Sequence, residues 1–289
     1  MTAKYHLPAG SSADGSYDVL VTPESAGRGY SGLRILTLQP GEAHALSTGD
    51  CEFLVLPLTG SCTATTDGTA LELTGRTGVF ASATDFAHLP GGSEALVSSA
   101  SGGRFALPSA RTEQGGQPAR YGRKEDVPVE LRGAGACSRQ VDNYCLPGTF
   151  EAEQLLVCEV LTPGGNRSSY PPHKHDEARP GEESELEEIH CFEVADDGNG
   201  FGHQRVHGTE DRRIDVLAEI RSGDTVLVPH GRHGPSIAAP GYDLYHLDVM
   251  AGPGQERAWL ICDDPAHGRV RSTGDSQDVD DRLPFGENR

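Results

Sequence analysis

Long apolar runs are missing from this chain. None approaches the roughly 20 residues that span a bilayer, and Met1-Thr2-Ala3-Lys4-Tyr5-His6-Leu7-Pro8 holds no signal-peptide core. Cations are scarce. Lys and Arg number 24 against 43 Asp and Glu, giving a formal net charge of -19 over 289 residues. Such a chain repels nucleic-acid phosphates, so DNA and RNA are excluded as expected partners. Its field also opposes anionic substrates, and a site for one requires local cations. The seven cysteines (51, 62, 137, 145, 158, 191 and 262) form no CxxC pair, and their number is odd. That argues against a disulfide framework and a zinc-thiolate site, and points to reduced thiols in a cytoplasmic protein. Cys158 and Cys191 lie in apolar segments and read as small buried hydrophobes.

Glycine and proline are abundant instead, with 37 and 19 copies. Short apolar runs separated by Gly, Pro, Asp and Ser predict many short strands and few helices. Strands are expected at 17–22, 33–38, 52–58, 70–73, 95–99 and 104–107. A second set is expected at 127–131, 155–161, 188–194, 201–207, 216–221, 225–229, 242–250 and 257–262.

The length suits two domains of about 100–150 residues, and the chain repeats itself weakly. Leu36-Thr37-Leu38-Gln39-Pro40-Gly41 is similar to Leu161-Thr162-Pro163-Gly164. Gly78 precedes His88 by the same interval that separates Gly223 from His233. Glu52 opens an apolar run as Glu188 does. The reading is two tandem β-barrels, 1–125 and 126–271, followed by a polar tail at 272–289. Gln114-Gly115-Gly116-Gln117-Pro118 starts the linker. The first barrel has only His44 near the position of a histidine pair and is expected to carry a degenerate, metal-free site.

The chemistry is concentrated in the second half. His173 and His175 flank Lys174, and side chains at i and i+2 of a strand share a face. Two imidazoles aimed at one point suit a transition metal. Downstream, Glu188 opens the apolar run Ile189-His190-Cys191-Phe192, and Gly223-Asp224-Thr225-Val226-Leu227-Val228-Pro229 leads to His230 and His233. HxH, then Glu before an apolar strand, then His after a Pro-x-Gly turn is the layout of the metal-binding cupin barrel. The expected ligands are therefore His173, His175, Glu188 and His233. Glu187 should point away from Glu188, although a bulge would exchange them. His233 is preferred to His230 because its spacing repeats that of His88. Lys174 should face away from the pair.

Further segments narrow the reading. Ser168-Ser169-Tyr170-Pro171-Pro172-His173-Lys174-His175-Asp176, Glu185-Leu186-Glu187-Glu188-Ile189, Gly200-Phe201-Gly202-His203-Gln204-Arg205-Val206, Val226-Leu227-Val228-Pro229 and the stretch 241–253 occur in order. Together they resemble the 5-deoxy-glucuronate isomerases of bacterial inositol catabolism. These are relatives of the 4-deoxy-L-threo-5-hexosulose-uronate ketol-isomerases of pectin breakdown. The resemblance is clear over about 155–267. It implies an all-β bicupin fold and an aldose–ketose isomerase that converts 5-deoxy-D-glucuronate to 5-dehydro-2-deoxy-D-gluconate. It implies the same HxH, Glu and His ligand set. The chain departs from the family pattern at His190, Arg232, His246 and Asp248.

One divalent metal ion is expected per chain, with zinc favoured over manganese and iron. Three imidazoles and a carboxylate leave open positions for substrate oxygens. His190, His246 and Asp248 are candidate bases. His190 should share the face of Glu188, and His246 and Asp248 are themselves at i and i+2. Arg205 is the first candidate for the substrate carboxylate, because a guanidinium grips it bidentately. Tyr170 and Tyr245 are further substrate-binding candidates, although a regular strand turns Tyr245 away from His246. The expected partners are a small sugar acid and further copies of the chain, with no membrane and no nucleic acid. Two other readings use the same donors: an Fe(II)-dependent cupin dioxygenase, and a non-catalytic metal- or sugar-binding cupin.

Overall fold

The computed structural model describes residues 2–113, 117–195, 198–254 and 256–286. Gln114 to Gly116, where the linker was expected to begin, lie outside the described residues. The regular secondary structure of the described chain is almost wholly strand, with two short α-helices, Thr2–Tyr5 and Arg269–Thr273. Neither is long and apolar enough to cross a membrane.

A nine-stranded sheet uses strands from Tyr17–Val21 to Arg120–Gly122. Its central element is the 16-residue strand Cys51–Thr66. The apolar run Phe53-Leu54-Val55-Leu56 is buried on both faces, as expected for a strand with cores on both sides. Phe53 and Val55 enter the core of the first half. Leu54, Leu56 and Leu58 face a larger cluster shared with Leu155, Val157, Ile189, Leu247 and Val249. That shared cluster is the seam between the halves.

The second half pairs a seven-stranded sheet with a six-stranded one. In the first, Glu187–Val194 and Leu156–Thr162 flank Leu244–Ala251. In the second, Arg232–Ala238 lies beside Gly202–His207 and His173–Lys174. Alternation decides what faces where. Along Glu187–Val194, Ile189 and Cys191 join the seam, whereas Phe192 and Val194 enter the second barrel's own core.

Polar groups also cross the seam. Arg76 forms a buried, two-pronged ion pair with Glu159, one prong at 2.9 Å. The hydroxyls of Tyr144 and Tyr245 donate to the same carboxylate at 3.0 and 2.7 Å. The Glu52 carboxylate accepts the backbone N–H groups of Glu153, Gln154 and Leu155 at 3.0, 2.6 and 2.8 Å.

Three expectations need correction. The tail from 272 is not simply a polar arm. Leu283 and Phe285 are buried in the seam cluster, the Phe285 N–H donates to Gln140 at 2.7 Å, and Phe80 meets the Phe285 ring at 6.0 Å. Two apolar residues in an otherwise acidic stretch anchor it. Second, 257–262 is not a strand apart from Cys262–Asp263. Arg257 instead donates to the carbonyls of Leu155 (2.9 Å) and Phe150 (2.5 Å), so a side chain holds this segment. Third, His6–Leu7 pairs with Thr225–Val228 and thus completes the second barrel's sheet. His6 and the Ala9 N–H both bond Asp224 at 2.9 Å.

Candidate metal centre and its cleft

The register of the two facing sheets builds the site. His173 and His233 are direct cross-strand partners. On the opposite sheet, Glu188 pairs with Met250 and His190 with Asp248. Gly234, directly after His233, adopts φ 96°, and a Cβ there would lie 1.8 Å from the Ser169 carbonyl oxygen. Only glycine permits this approach. It presses the His233 strand against the segment that leads to His173.

The structure brings together His173, His175, Glu188 and His233. Ligating atoms of the three histidines lie within 4.8 Å of one another. Glu188 Oε2 is 3.2 Å from His175 Nε2 and 3.0 Å from His233 Nε2. His173 turns Nδ1 to the Pro171 carbonyl at 3.4 Å, which leaves Nε2 toward the group. All four side chains are buried.

Electrostatics favour a cation here. Burial, then the imidazoles of His233 and His175, hold His173 well below the usual histidine range. Burial also lowers His233. Neutral imidazole is the form that ligates metal. Burial alone would raise Glu188, but His233 and His190 bring it well below the usual carboxylate range. Three imidazoles converge on one buried carboxylate. Burial pushes His173 and His233 toward the neutral form, whereas burial opposes the charge on His175 and Glu188 more than offsets it. Such a donor set fits a divalent ion.

Neighbouring carboxylates divide their work. Glu188 faces the histidines. Glu187 faces the first barrel and accepts the N–H groups of Gly29, Tyr30 and Ser31 at 2.8, 3.0 and 3.2 Å.

His190, Asp248 and His246 form an adjoining buried row. His190 Nε2 lies 3.0 Å from Glu188 Oε1 and 3.4 Å from Asp248 Oδ1. Burial opposes the charge on His190, yet Glu188 and Asp248 lift it to about 9. Burial pushes the Asp248 carboxyl up to about 8, and Glu188 adds to the shift. Neither ring nitrogen of His246 has a hydrogen-bond partner among the described residues, and burial pushes this ring well below the usual range.

A cavity of about 250 Å³ opens on the centre, lined by His173, Glu188, His233, Asp248, Tyr170 and Trp259 among others. His190 and His246 do not line it, so only Asp248 of the three candidate bases meets its space. Arg132, Arg139 and Arg271 also line it, and a larger cleft of about 770 Å³ shares these arginines with Tyr170 and Pro171.

Two expected contacts are not made. Arg205 projects from the barrel's exterior and is tied to Asp215 and the Val216 carbonyl. The inward residue of that strand is Gln204, at 0% exposure, whose amide nitrogen lies 3.3 Å from His190 Nδ1 and whose oxygen accepts from Ser236. The apolar Val206 shares the parity of Gln204, and this was the signal that Arg205 faces out. Tyr245 is likewise turned from the site into the seam, where it donates to Glu159. Lys174 is not a surface residue. Its ammonium bonds Asp176 and Glu183 at 2.8 and 2.7 Å, and Asp176 also accepts the Gly231 N–H at 2.8 Å. This network links the HxH segment to the loop before His233. The arginines were missed because nothing in their local sequence separates them from surface cations.

Two back-to-back barrels of this topology, one containing an HxH, Glu and His group, define a bicupin. The model of the KduI/IolB family matches residues 5–270, and the chain belongs to that family. It is 40% identical over 263 residues to a 5-deoxy-glucuronate isomerase of Geobacillus kaustophilus, covering 90% of this chain and 93% of that protein. It is 36% identical over 249 residues to the 5-deoxy-glucuronate isomerase of Bacillus subtilis, covering 86% and 90%. The crystal structure of an IolB-like protein from Salmonella typhimurium superposes with a TM-score of 0.85 at 30% identity, covering 92% of this chain and 99% of that one. A Bacillus subtilis oxalate decarboxylase variant gives a TM-score of 0.59 at 11% identity over 90% and 82%. At that identity the likeness shows the fold alone.

Proposed function

We propose that this protein is a metal-dependent aldose–ketose isomerase that converts 5-deoxy-D-glucuronate to 5-dehydro-2-deoxy-D-gluconate. The observation that carries the reading is the contact of Glu188 with both His175 and His233 at the wall of a cavity sized for a small sugar acid. The isomerase name of relatives that match most of the chain supports the substrate. The dioxygenase reading shares the donor set, but no relative favours it.

His173, His175, Glu188 and His233 would hold one divalent ion, with zinc first and manganese or iron as alternatives. When bound, such an ion would polarise the substrate carbonyl and lower the energy of the enediolate. The protein's own groups then have to move the C2 proton to C1 and the proton of the C2 hydroxyl to the C1 oxygen. Asp248 meets the cavity and is assigned that task. His190 Nε2 lies between the two carboxylates, 3.0 Å from Glu188 and 3.4 Å from Asp248, so its charge is shared by both. Gln204 fixes the His190 ring from its other nitrogen. The buried walls exclude bulk water, which strengthens these interactions.

In this reading residues 1–125, apart from the strand His6–Leu7, form a structural barrel and 126–271 the catalytic one. The sheet-edge strand Val129–Arg132 leaves Val129 and Leu131 exposed, which supports a homo-oligomer. The test is to supply 5-deoxy-D-glucuronate without oxygen to metal-loaded protein and to the His175→Ala variant. Ketose is expected from the wild type alone, with metal lost from the folded variant. No turnover by the wild type with any divalent ion would refute the reading.

A further inference from the structure

We propose that Arg139 is the residue that grips the substrate's carboxylate, so that the sugar acid lies with its carbonyl end at the histidines and its acid end at this guanidinium. The inference rests on the sugar-acid isomerase reading and adds its specificity determinant.

Arg139 opens the strand Arg139–Cys145, and its direct cross-strand partner is Arg132. Like charges directly opposite on neighbouring strands repel. A third cation, Arg271, lines the same cavity. Two of the three are already neutralised. Arg132 pairs with Glu130 at 2.6 Å and lies over the Trp259 ring at 5.5 Å. Arg271 is held by both oxygens of Asp263 at 2.7 Å. Arg139 has no carboxylate partner among the described residues. Its recorded bond is from Nη1 to the Cys137 carbonyl at 3.2 Å. Burial, then the charges of Arg132 and Arg271, push this guanidinium down to about 10.

A half-buried, uncompensated cation is costly unless an anion reaches it. In a chain of net charge -19, carboxylates are plentiful, yet among the described residues none pairs with Arg139. Arg139 therefore presents an open fork to the cavity that also exposes His173, Glu188, His233 and Asp248. A guanidinium fork matches a carboxylate bidentately. Arg132 and Arg271, with their own counter-ions, contribute to the field that draws the acid in.

The experiment compares wild type, Arg139→Gln and Arg139→Lys, each checked for unchanged melting temperature and metal content. With 5-deoxy-D-glucuronate, Arg139→Gln is expected to raise KM about 10- to 100-fold, and Arg139→Lys less. With 5-deoxy-D-glucose, which has a hydroxymethyl in place of the acid, KM is expected to be equal in all three. A KM for the acid within twofold of wild type, or an equal rise for acid and neutral sugar, overturns the proposal. A binding arm needs no turnover: D-gluconate should raise the melting temperature of the wild type and not of Arg139→Gln. If that difference holds while 5-deoxy-D-glucuronate is not turned over, the anchor stands and the isomerase reading fails. Equal stabilisation of both proteins, or of neither, overturns the anchor.

Discussion

Glu187 and Glu188 are adjacent in the chain and serve different barrels. Glu188 contacts His175 and His233, and Glu187 caps three backbone N–H groups of the first barrel. Substitutions at the two should therefore separate cleanly. Glu188→Gln is expected to lose bound metal and activity while staying folded. Glu187→Gln is expected to keep its metal and lose about 1.5–3 kcal/mol of stability, the range for hydrogen bonds to a charged group. Metal analysis beside urea unfolding checks both. Loss of metal in Glu187→Gln would reverse the assignment.

Asp248 is the candidate proton carrier that meets the cavity. Asp248→Asn should lower kcat by about 10²- to 10⁴-fold, the range for general acid–base groups. Metal content and KM should change little, and exchange of the substrate's C2 proton with solvent should stop. Full exchange in the variant would pass the role to another group.

Acid should loosen the seam through Glu52. Burial raises this carboxyl, but the hydrogen bond from His88 and the N–H groups of Gln154 and Glu153 more than offset it. Glu52 therefore sits below its ordinary 4.5 in the folded protein. A carboxyl lowered on folding contributes stability that is complete above the unfolded value and is lost as pH falls toward the folded one. The wild-type melting temperature should thus fall as pH drops below about 4.5. Glu52→Gln should start lower and show a shallower acid slope. Equal slopes would mean that other carboxylates dominate.

The Arg76–Glu159 pair makes a harsher demand. Both side chains are almost fully enclosed, at 1% and 0% exposure. Arg76→Met would leave Glu159 buried with only two tyrosine hydroxyls. A loss of about 3–5 kcal/mol is expected, because a buried charge keeps its desolvation cost when its partner goes. Adding Glu159→Gln should restore part of it. Chemical denaturation of the single and double variants measures the recovery, and no recovery would show that the pair is not coupled.

Apolar runs, turns and the spacing of Gly223 to His233 were enough to read strands, two halves and a histidine group. The strand Arg139–Cys145 was hidden, because Gln140, Asp142 and Asn143 break its apolar pattern, and Gln140 finds a partner far along the chain, accepting the Phe285 N–H. HxH was read as one regular strand. The ladder breaks at His175, whose carbonyl accepts the Leu186 N–H at 2.8 Å. That bond holds the second imidazole inward without regular pairing. Arg205 and Tyr245 were candidates by residue type, and the two-residue period of their strands sent them elsewhere. Arg139 could not be read locally, because its meaning lies in what the neighbouring strands omit.

The short strand His6–Leu7 has a consequence for how the protein is made. These residues are made more than two hundred residues before Asp224 and Thr225–Val228, which hold them. The segment therefore stays without this pairing until the second half of the chain has been made. A bulky group fused ahead of His6 would be carried to the edge of the second barrel's sheet, not to that of the first.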